Sequence, residues 1–145
     1  MNDYGITKIY RLSRKCYEKN IPLIPKILKL FIRIFFSATI PYQANIGYGT
    51  KFPHAGQGVV VNEKSVIGKN CIIGAGTIIG GKGGSNGAPQ IGDNVTLGAN
   101  CCVIGEIKIG NNSIVGAGAV VTKNFESNVV IAGNPAKIIK NRELK

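Results

Sequence analysis

From Val61 to Val121 an aliphatic residue returns every six positions: Val61, Ile67, Ile73, Ile79, Ile91, Leu97, Val103, Ile109, Val115 and Val121. The single double step, from Ile79 to Ile91, keeps the count across a glycine-rich stretch. A period of six fits neither a helix of about 3.6 residues per turn nor a strand with alternating faces. It predicts a solenoid in which short parallel strands stack coil upon coil.

The remaining positions of each hexad agree. One step after the aliphatic stands Gly68, Gly74, Gly80, Gly92, Gly98, Gly110 or Gly116. Three steps after it stands Asn70, Gly76, Asn94, Asn100, Asn112, Gly118 or Asn124, with Lys64 and Glu106 as exceptions. Glycine, and then asparagine, tolerate positive φ, so a corner is predicted at that place in each hexad. Four steps after the aliphatic come small or β-branched residues: Ser65, Cys71, Thr77, Val95, Cys101, Ile107, Ser113 and Ala119. The expected interior is a narrow prism with little room for a ligand.

The repeat starts before Val61. Ile40, Ile46 and Phe52 keep the six-residue spacing, and then Phe52 to Val61 is a step of nine. Three residues must leave the coil in Pro53-His54-Ala55-Gly56-Gln57-Gly58. That bulge holds the only histidine of the chain, and a glycine-rich loop on a rigid scaffold is a natural place for chemistry.

At 145 residues and 44% hydrophobic, the chain reads as one domain with an appended segment. The expected division is a basic, amphipathic helical segment over 1–38, a β-solenoid over 39–136 with an external loop at 81–90, and a basic tail over 137–145. A solenoid has open ends, so self-association is expected.

Net charge is +11, unevenly spread. Residues 1–51 hold nine Lys or Arg against Asp3 and Glu18, whereas residues 52–145 hold nine against five acids. Ile21 to Phe36 reads IPLIPKILKLFIRIFF, with Lys26, Lys29 and Arg33 on one helical stripe and Pro22 and Pro25 suited to a first turn. The segment is too short and too polar to span a bilayer. Two uses stay open: a packing helix over the solenoid or a neighbouring subunit, or an interfacial helix on an anionic membrane. Charge alone suggests nucleic acid, and the basic segment lacks the interleaved aromatics of such a surface, so no nucleic-acid partner is expected.

The four cysteines do not form a disulfide framework. Cys71 and Cys101 occupy the small inward slot, and the adjacent Cys101 and Cys102 point to opposite faces of a strand. No secretory leader opens the chain, so the expected location is cytoplasmic, with the peripheral inner membrane face as the variant set by residues 21–36.

The run from Ile46 to Ile139 resembles the left-handed β-helix of hexapeptide-repeat acyltransferases. It is most similar to the serine acetyltransferase group and its capsule and exopolysaccharide (colanic acid-type) relatives. The resemblance rests on His54-Ala55-Gly56-Gln57-Gly58-Val59-Val60-Val61, Ile79-Gly80-Gly81-Lys82, Val115-Gly116-Ala117-Gly118 and Ala132-Gly133-Asn134-Pro135-Ala136-Lys137. It implies an all-β solenoid, a left-handed parallel β-helix with an N-terminal α-helical segment, assembled as a homotrimer. It also implies acetyl-CoA as co-substrate. Handedness comes from the resemblance, since ordinary crossovers are right-handed.

The implied chemistry moves an acetyl group from a thioester to a hydroxyl. His54 matches the family's general base, a role that suits an imidazole near neutral pH. Glu63 is a possible orienting group. Backbone N–H groups of the glycine-rich stretches are the expected oxyanion donors. Gly81, Ala99 and Ala117 match the small residues along which the pantetheine arm lies, although Ala99 and Ala117 alone read as corner residues. Thr122, Lys123, Asn134, Pro135 and Lys137 are the candidates for the nucleotide end of coenzyme A, with Lys140 as an addition; Lys82, in the external loop beside the acceptor pocket, is a further cofactor-binding candidate. No metal is implied: the γ-type carbonic anhydrases of this fold need three zinc histidines, and this chain has one.

The serine acetyltransferase group has aspartates at the positions of Thr39 and Pro53, an arginine near Gly87 and a second histidine at Ala88. All four positions are uncharged here, and an unpaired buried charge is costly. The leading expectation is therefore an O-acetyltransferase acting on a saccharide hydroxyl of a capsule or exopolysaccharide unit. Serine O-acetyltransferase and a non-catalytic trimeric scaffold are the alternatives.

Overall fold

The computed structural model describes residues 5–143; the ends of the expected 1–38 and 137–145 segments lie outside it. Two helices, α1 (Gly5–Glu18) and α2 (Ile24–Phe36), precede a three-sided prism of thirteen short strands. Face I stacks β2 (Val60–Val61), β5 (Ile78–Gly80), β8 (Cys102–Ile104) and β11 (Val120–Val121). Face II stacks β1 (Asn45–Ile46), β3 (Val66–Ile67), β6 (Gln90–Ile91) and β9 (Lys108–Ile109). Face III stacks β4 (Ile72–Ile73), β7 (Thr96–Leu97), β10 (Ile114–Val115) and β12 (Val129–Ala132), closed by β13 (Lys137–Asn141). The chain winds from face I to II to III and back as a left-handed parallel β-helix, as the resemblance implied.

Every aliphatic of the six-residue series, from Val61 to Val121, is buried along the prism axis, as are Ile40, Ile46 and Phe52. The small slot residues are buried too, from Ser65 to Ala119. Three hexads make one coil. Val60 pairs with Ile78 and Cys102 with Val120, a step of 18 residues, while Ile78 pairs with Cys102 after 24. The extra six residues leave the coil between Gly80 and Gln90. The expected external loop is thus shorter by one, because Gln90 already belongs to β6. The first step, from Thr39 to its partner Val60, is 21 and contains the His54 bulge.

The corners are of two kinds. Between faces II and III, Asn70, Asn94, Asn112 and Asn128 have positive φ; between faces III and I, Gly76, Asn100 and Gly118 do. Between faces I and II the equivalent residues are Lys64, Glu106 and Asn124, and none has positive φ. The two exceptions in the sequence pattern and the misassigned Asn124 share this corner. Asn124 instead accepts the Lys108 N–H through its Oδ1 at 2.9 Å.

Both open ends of the solenoid are covered. At the start, Tyr10 Oη donates to Ala44 O at 2.6 Å and accepts the Ile46 N–H at 3.2 Å. Arg11 donates to the carbonyls of Ile46 and Gly47, and Arg14 to those of Tyr42 and Gln43. These carbonyls have no preceding coil to pair with, and an orphaned buried carbonyl is costly. At the far end β13 pairs antiparallel with β12 and occupies its free edge. The segment expected as a basic tail is therefore a strand as far as Asn141. Its Lys-Ile-Ile-Lys order lacks the alternation that marks one in sequence.

α1 was not singled out in the sequence, where Ser13 and Cys16 blur its buried stripe of Ile6, Tyr10, Ser13 and Cys16. α2 has the expected start, with Pro25 in its first turn, and a left-handed C-cap at Ser37. Only Pro25 and Ile32 of α2 are buried. None of the described helices is long and apolar enough to cross a membrane.

Two outcomes are expected. A Cβ on Gly74 would lie 2.6 Å from the Ala99 backbone N, whereas one on Gly83 meets nothing within 4 Å. Gly74→Ala should cost about 1–3 kcal/mol in urea unfolding and Gly83→Ala less than about 0.5 kcal/mol. Burial pushes the Cys101 thiol up to about 11 and raises that of Cys71. At pH 8 about one Cys101 in a thousand is thiolate, so alkylation should reach the buried Cys101 only on unfolding. The unfolded thiol ionises sooner, so stability should fall as pH climbs from about 9 towards about 11.

Candidate active site

The bulge at residues 53–58 sits on the corner between faces III and I. Lys51 bridges to Ile72 on face III and Val60 begins face I, so the inserted residues turn outward between them. Pro53 to Gly56 form a kinked turn in which His54, Ala55 and Gly56 take left-handed φ of 55°, 56° and 67°. For His54 and Ala55 this left-handed conformation costs on the order of 1–2 kcal/mol each. Strain of that kind persists only where the surroundings hold it, and it gathers at functional sites. The holding bonds are Gln57 N to His54 O at 3.2 Å, Val59 N to Gly56 O at 2.9 Å and Gly58 N to Ser37 O at 2.9 Å. Gly56 is buried against the first helix: a Cβ there would stand 2.9 Å from Ile6 Cδ1. His54 itself is exposed, with no side-chain hydrogen bond to any described residue.

Below the bulge the same corner repeats as a column. Gly76 N donates to Gln57 O, Asn100 N to Ala75 O, Gly118 N to Ala99 O and Val120 N to Gly133 O. Ala99 and Ala117 are exposed on this column, and Asn134 and Pro135 follow Gly133 at its lower end. Five of the candidate residues thus share one edge of face I: His54, Ala99, Ala117, Asn134 and Pro135.

The other candidates lie on the opposite edge, between faces I and II. Gly105 N donates to Gly80 O there, stacking the turn that follows β8 under the start of the Gly81 loop. Glu63, Gly81, Lys82, Thr122 and Lys123 all belong to this corner. Gly81 closes against the far side of its loop, where a Cβ would meet Gly87 O at 3.1 Å. Lys123 Nζ stands 5.6 Å from the centre of the Phe125 ring, and Lys123 and Lys137 line one open depression of ≈ 450 Å³. Glu63 is exposed and makes no hydrogen bond to His54, so the possible orienting contact does not exist within one chain. The cause is topological: β2 carries the chain across face I between the two residues.

Two hexapeptide models match the prism: bacterial transferase hexapeptide (six repeats) over residues 88–123, and hexapeptide repeat of succinyl-transferase over 64–82. The prism therefore carries the hexapeptide repeat of bacterial transferases over these residues. Among individual proteins, the chain is 34% identical to serine acetyltransferase of Synechococcus elongatus over 132 residues, 90% of this chain and 54% of that protein. The serine acetyltransferase of Brucella abortus in complex with coenzyme A superposes with a TM-score of 0.92 at 31% identity, over 99% of this chain and 58% of that one. The soybean serine acetyltransferase complexed with serine superposes with a TM-score of 0.86 at 35% identity, over 92% and 56%. This chain spans about half the length of the relatives it matches.

These likenesses overturn the expectation of a saccharide acceptor and favour its stated alternative. The inference from Thr39, Pro53, Gly87 and Ala88 counted only side-chain charge at four positions. A glycine-rich loop also offers backbone N–H and C=O groups to a charged ligand, and such concavities hold anions without a cationic side chain. The capsule and exopolysaccharide subgroup is likewise not supported by the comparisons.

Proposed function

We propose that this chain transfers the acetyl group of acetyl-CoA to the hydroxyl of L-serine, with His54 as general base. The observation that carries this reading is the strained, outward-held His54 at the head of a column of small residues. The serine-bound and coenzyme A-bound relatives, which match over nearly all of this chain, support the choice of both substrates.

In the reaction the His54 imidazole takes the proton as the serine oxygen attacks the thioester carbonyl. The tetrahedral intermediate then expels the thiolate of coenzyme A, which receives that proton, leaving O-acetylserine. Ala99 and Ala117 would let the thin pantetheine arm run close to the backbone. Lys123 and Lys137, which share one depression, would hold the phosphate-bearing end. Gly81, Lys82, Thr122, Asn134 and Pro135 would frame the same co-substrate.

The site is read as one shared between protomers of a homotrimer. The candidate residues divide between two edges of face I, which approach each other only at the lower end, where Lys137 lines the Lys123 depression. The outer ladder of face I (Val60, Ile78, Cys102, Val120) is apolar, and that of face III (Ile72, Thr96, Ile114, Val130) nearly so. Face II presents Asn45, Val66, Gln90 and Lys108 instead. Packing the apolar ladders of neighbouring chains would bring opposite edges together.

Thiol release from acetyl-CoA in the presence of L-serine tests the reaction, and no release would refute it. His54→Ala should lower the rate by about 10²–10⁴ while coenzyme A binding stays intact; unchanged turnover removes the assignment. His54→Gly should be equally inactive yet more stable by about 1 kcal/mol, because the strained φ is relieved. Sedimentation should show a trimer, and Ile78→Glu should yield inactive monomers. A fully active monomer would overturn the shared site.

A further inference from the structure

α2 buries one narrow side and exposes the other. Opposite Pro25 and Ile32 stand Leu23, Ile27, Leu30, Phe31, Ile34 and Phe35, with Ile34 63% and Phe35 69% exposed. At about 100° per residue these positions form a stripe roughly 140° wide, centred about 140° around the helix from the buried Pro25 and Ile32. An apolar surface of this extent marks an interaction site.

The stripe has a cationic flank. Lys26, Lys29 and Arg33 lie between it and the prism and, with Leu30 and Thr39, line a pocket of ≈ 130 Å³. None of the three forms an ion pair among the described residues, and no acidic residue occurs between Glu18 and Glu63. A second copy of this chain meeting the stripe face to face would bring the same three cations and the same surplus of positive charge. An anionic bilayer offers hydrocarbon to the stripe and phosphate to its flank. The helix has 13 residues, about 20 Å, which suits lying in the interface and not crossing it.

We propose that α2 is an interfacial helix whose apolar stripe enters an anionic bilayer surface while Lys26, Lys29 and Arg33 bind lipid phosphates. Its C-cap residue, Ser37, accepts the Gly58 N–H, so the docked helix brings the His54 end of the prism to the membrane side.

The test is co-sedimentation of the full chain with phosphatidylglycerol–phosphatidylcholine vesicles and with pure phosphatidylcholine vesicles at about 0.1 M salt. Binding should require the anionic lipid and weaken steeply as salt rises. At about 1 kcal/mol per cation, replacing Lys26, Lys29 and Arg33 together by Gln should weaken it on the order of a hundredfold. Ile34→Ser with Phe35→Ser should abolish it and leave the thermal melt unchanged, since both side chains are exposed. Salt dependence of the unaltered protein gives a readout that needs no variant. Absence of binding at low salt, or equal binding to neutral vesicles, overturns the proposal. So does a loss of self-association in the Ile34/Phe35 variant without vesicle binding, which assigns the stripe to another copy of the chain. Neither result depends on acetyl transfer.

Discussion

The structure depends on how closely successive coils approach at their corners. Each coil hydrogen-bonds to the next through its backbone, at the spacing of neighbouring strands, about 4.8 Å. At that separation some corner positions have no room for a Cβ, as Gly74 over Ala99 and Gly47 over Gly68 show. The demand for glycine, the asparagines at positive φ and the narrow interior all follow from it. Because the constraint repeats, so does the sequence.

The ends are where the repeat cannot help itself. A first coil has no predecessor to receive its hydrogen bonds, and the protein answers with side chains of Tyr10, Arg11 and Arg14 laid across it from α1. At the other end Arg142 joins β13 in closing the stack, donating from its backbone to Asn128 O and from its side chain to Asn112 O. Part of the large basic surplus is therefore structural. Arginine suits the role because its planar fork serves two carbonyls at once.

Much of this was legible because one physical rule wrote the pattern many times over. The buried aliphatics, the small inward slots and the corners near Asn70 or Gly76 all repeat, and the bulge at His54 announced itself as a three-residue slip. What repeats once could not be read that way. The stripe of α1 hides behind the polar Ser13, whose hydroxyl is satisfied by Pro25 O. β13 is set by the open edge of β12 and not by its own alternation. The two-edge division of the candidate residues depends on which face each hexad occupies, and one hexad looks like another. The acceptor was misread for a related reason: the four uncharged positions were visible, while backbone donors carry no letter in a sequence.

The corner between faces I and II stands apart from the other two. Its residues equivalent to the Asn and Gly of the other corners keep negative φ, so it accommodates a lysine, a glutamate, an asparagine and, between Gly80 and Gln90, an entire excursion of the chain. Side chains that the tighter corners would reject on steric grounds are tolerated here without loss of register above or below. The prism therefore has one vertex whose repeating position is open to many side chains, and a redesign of what this protein grips can begin there without disturbing the His54 bulge on the corner between faces III and I.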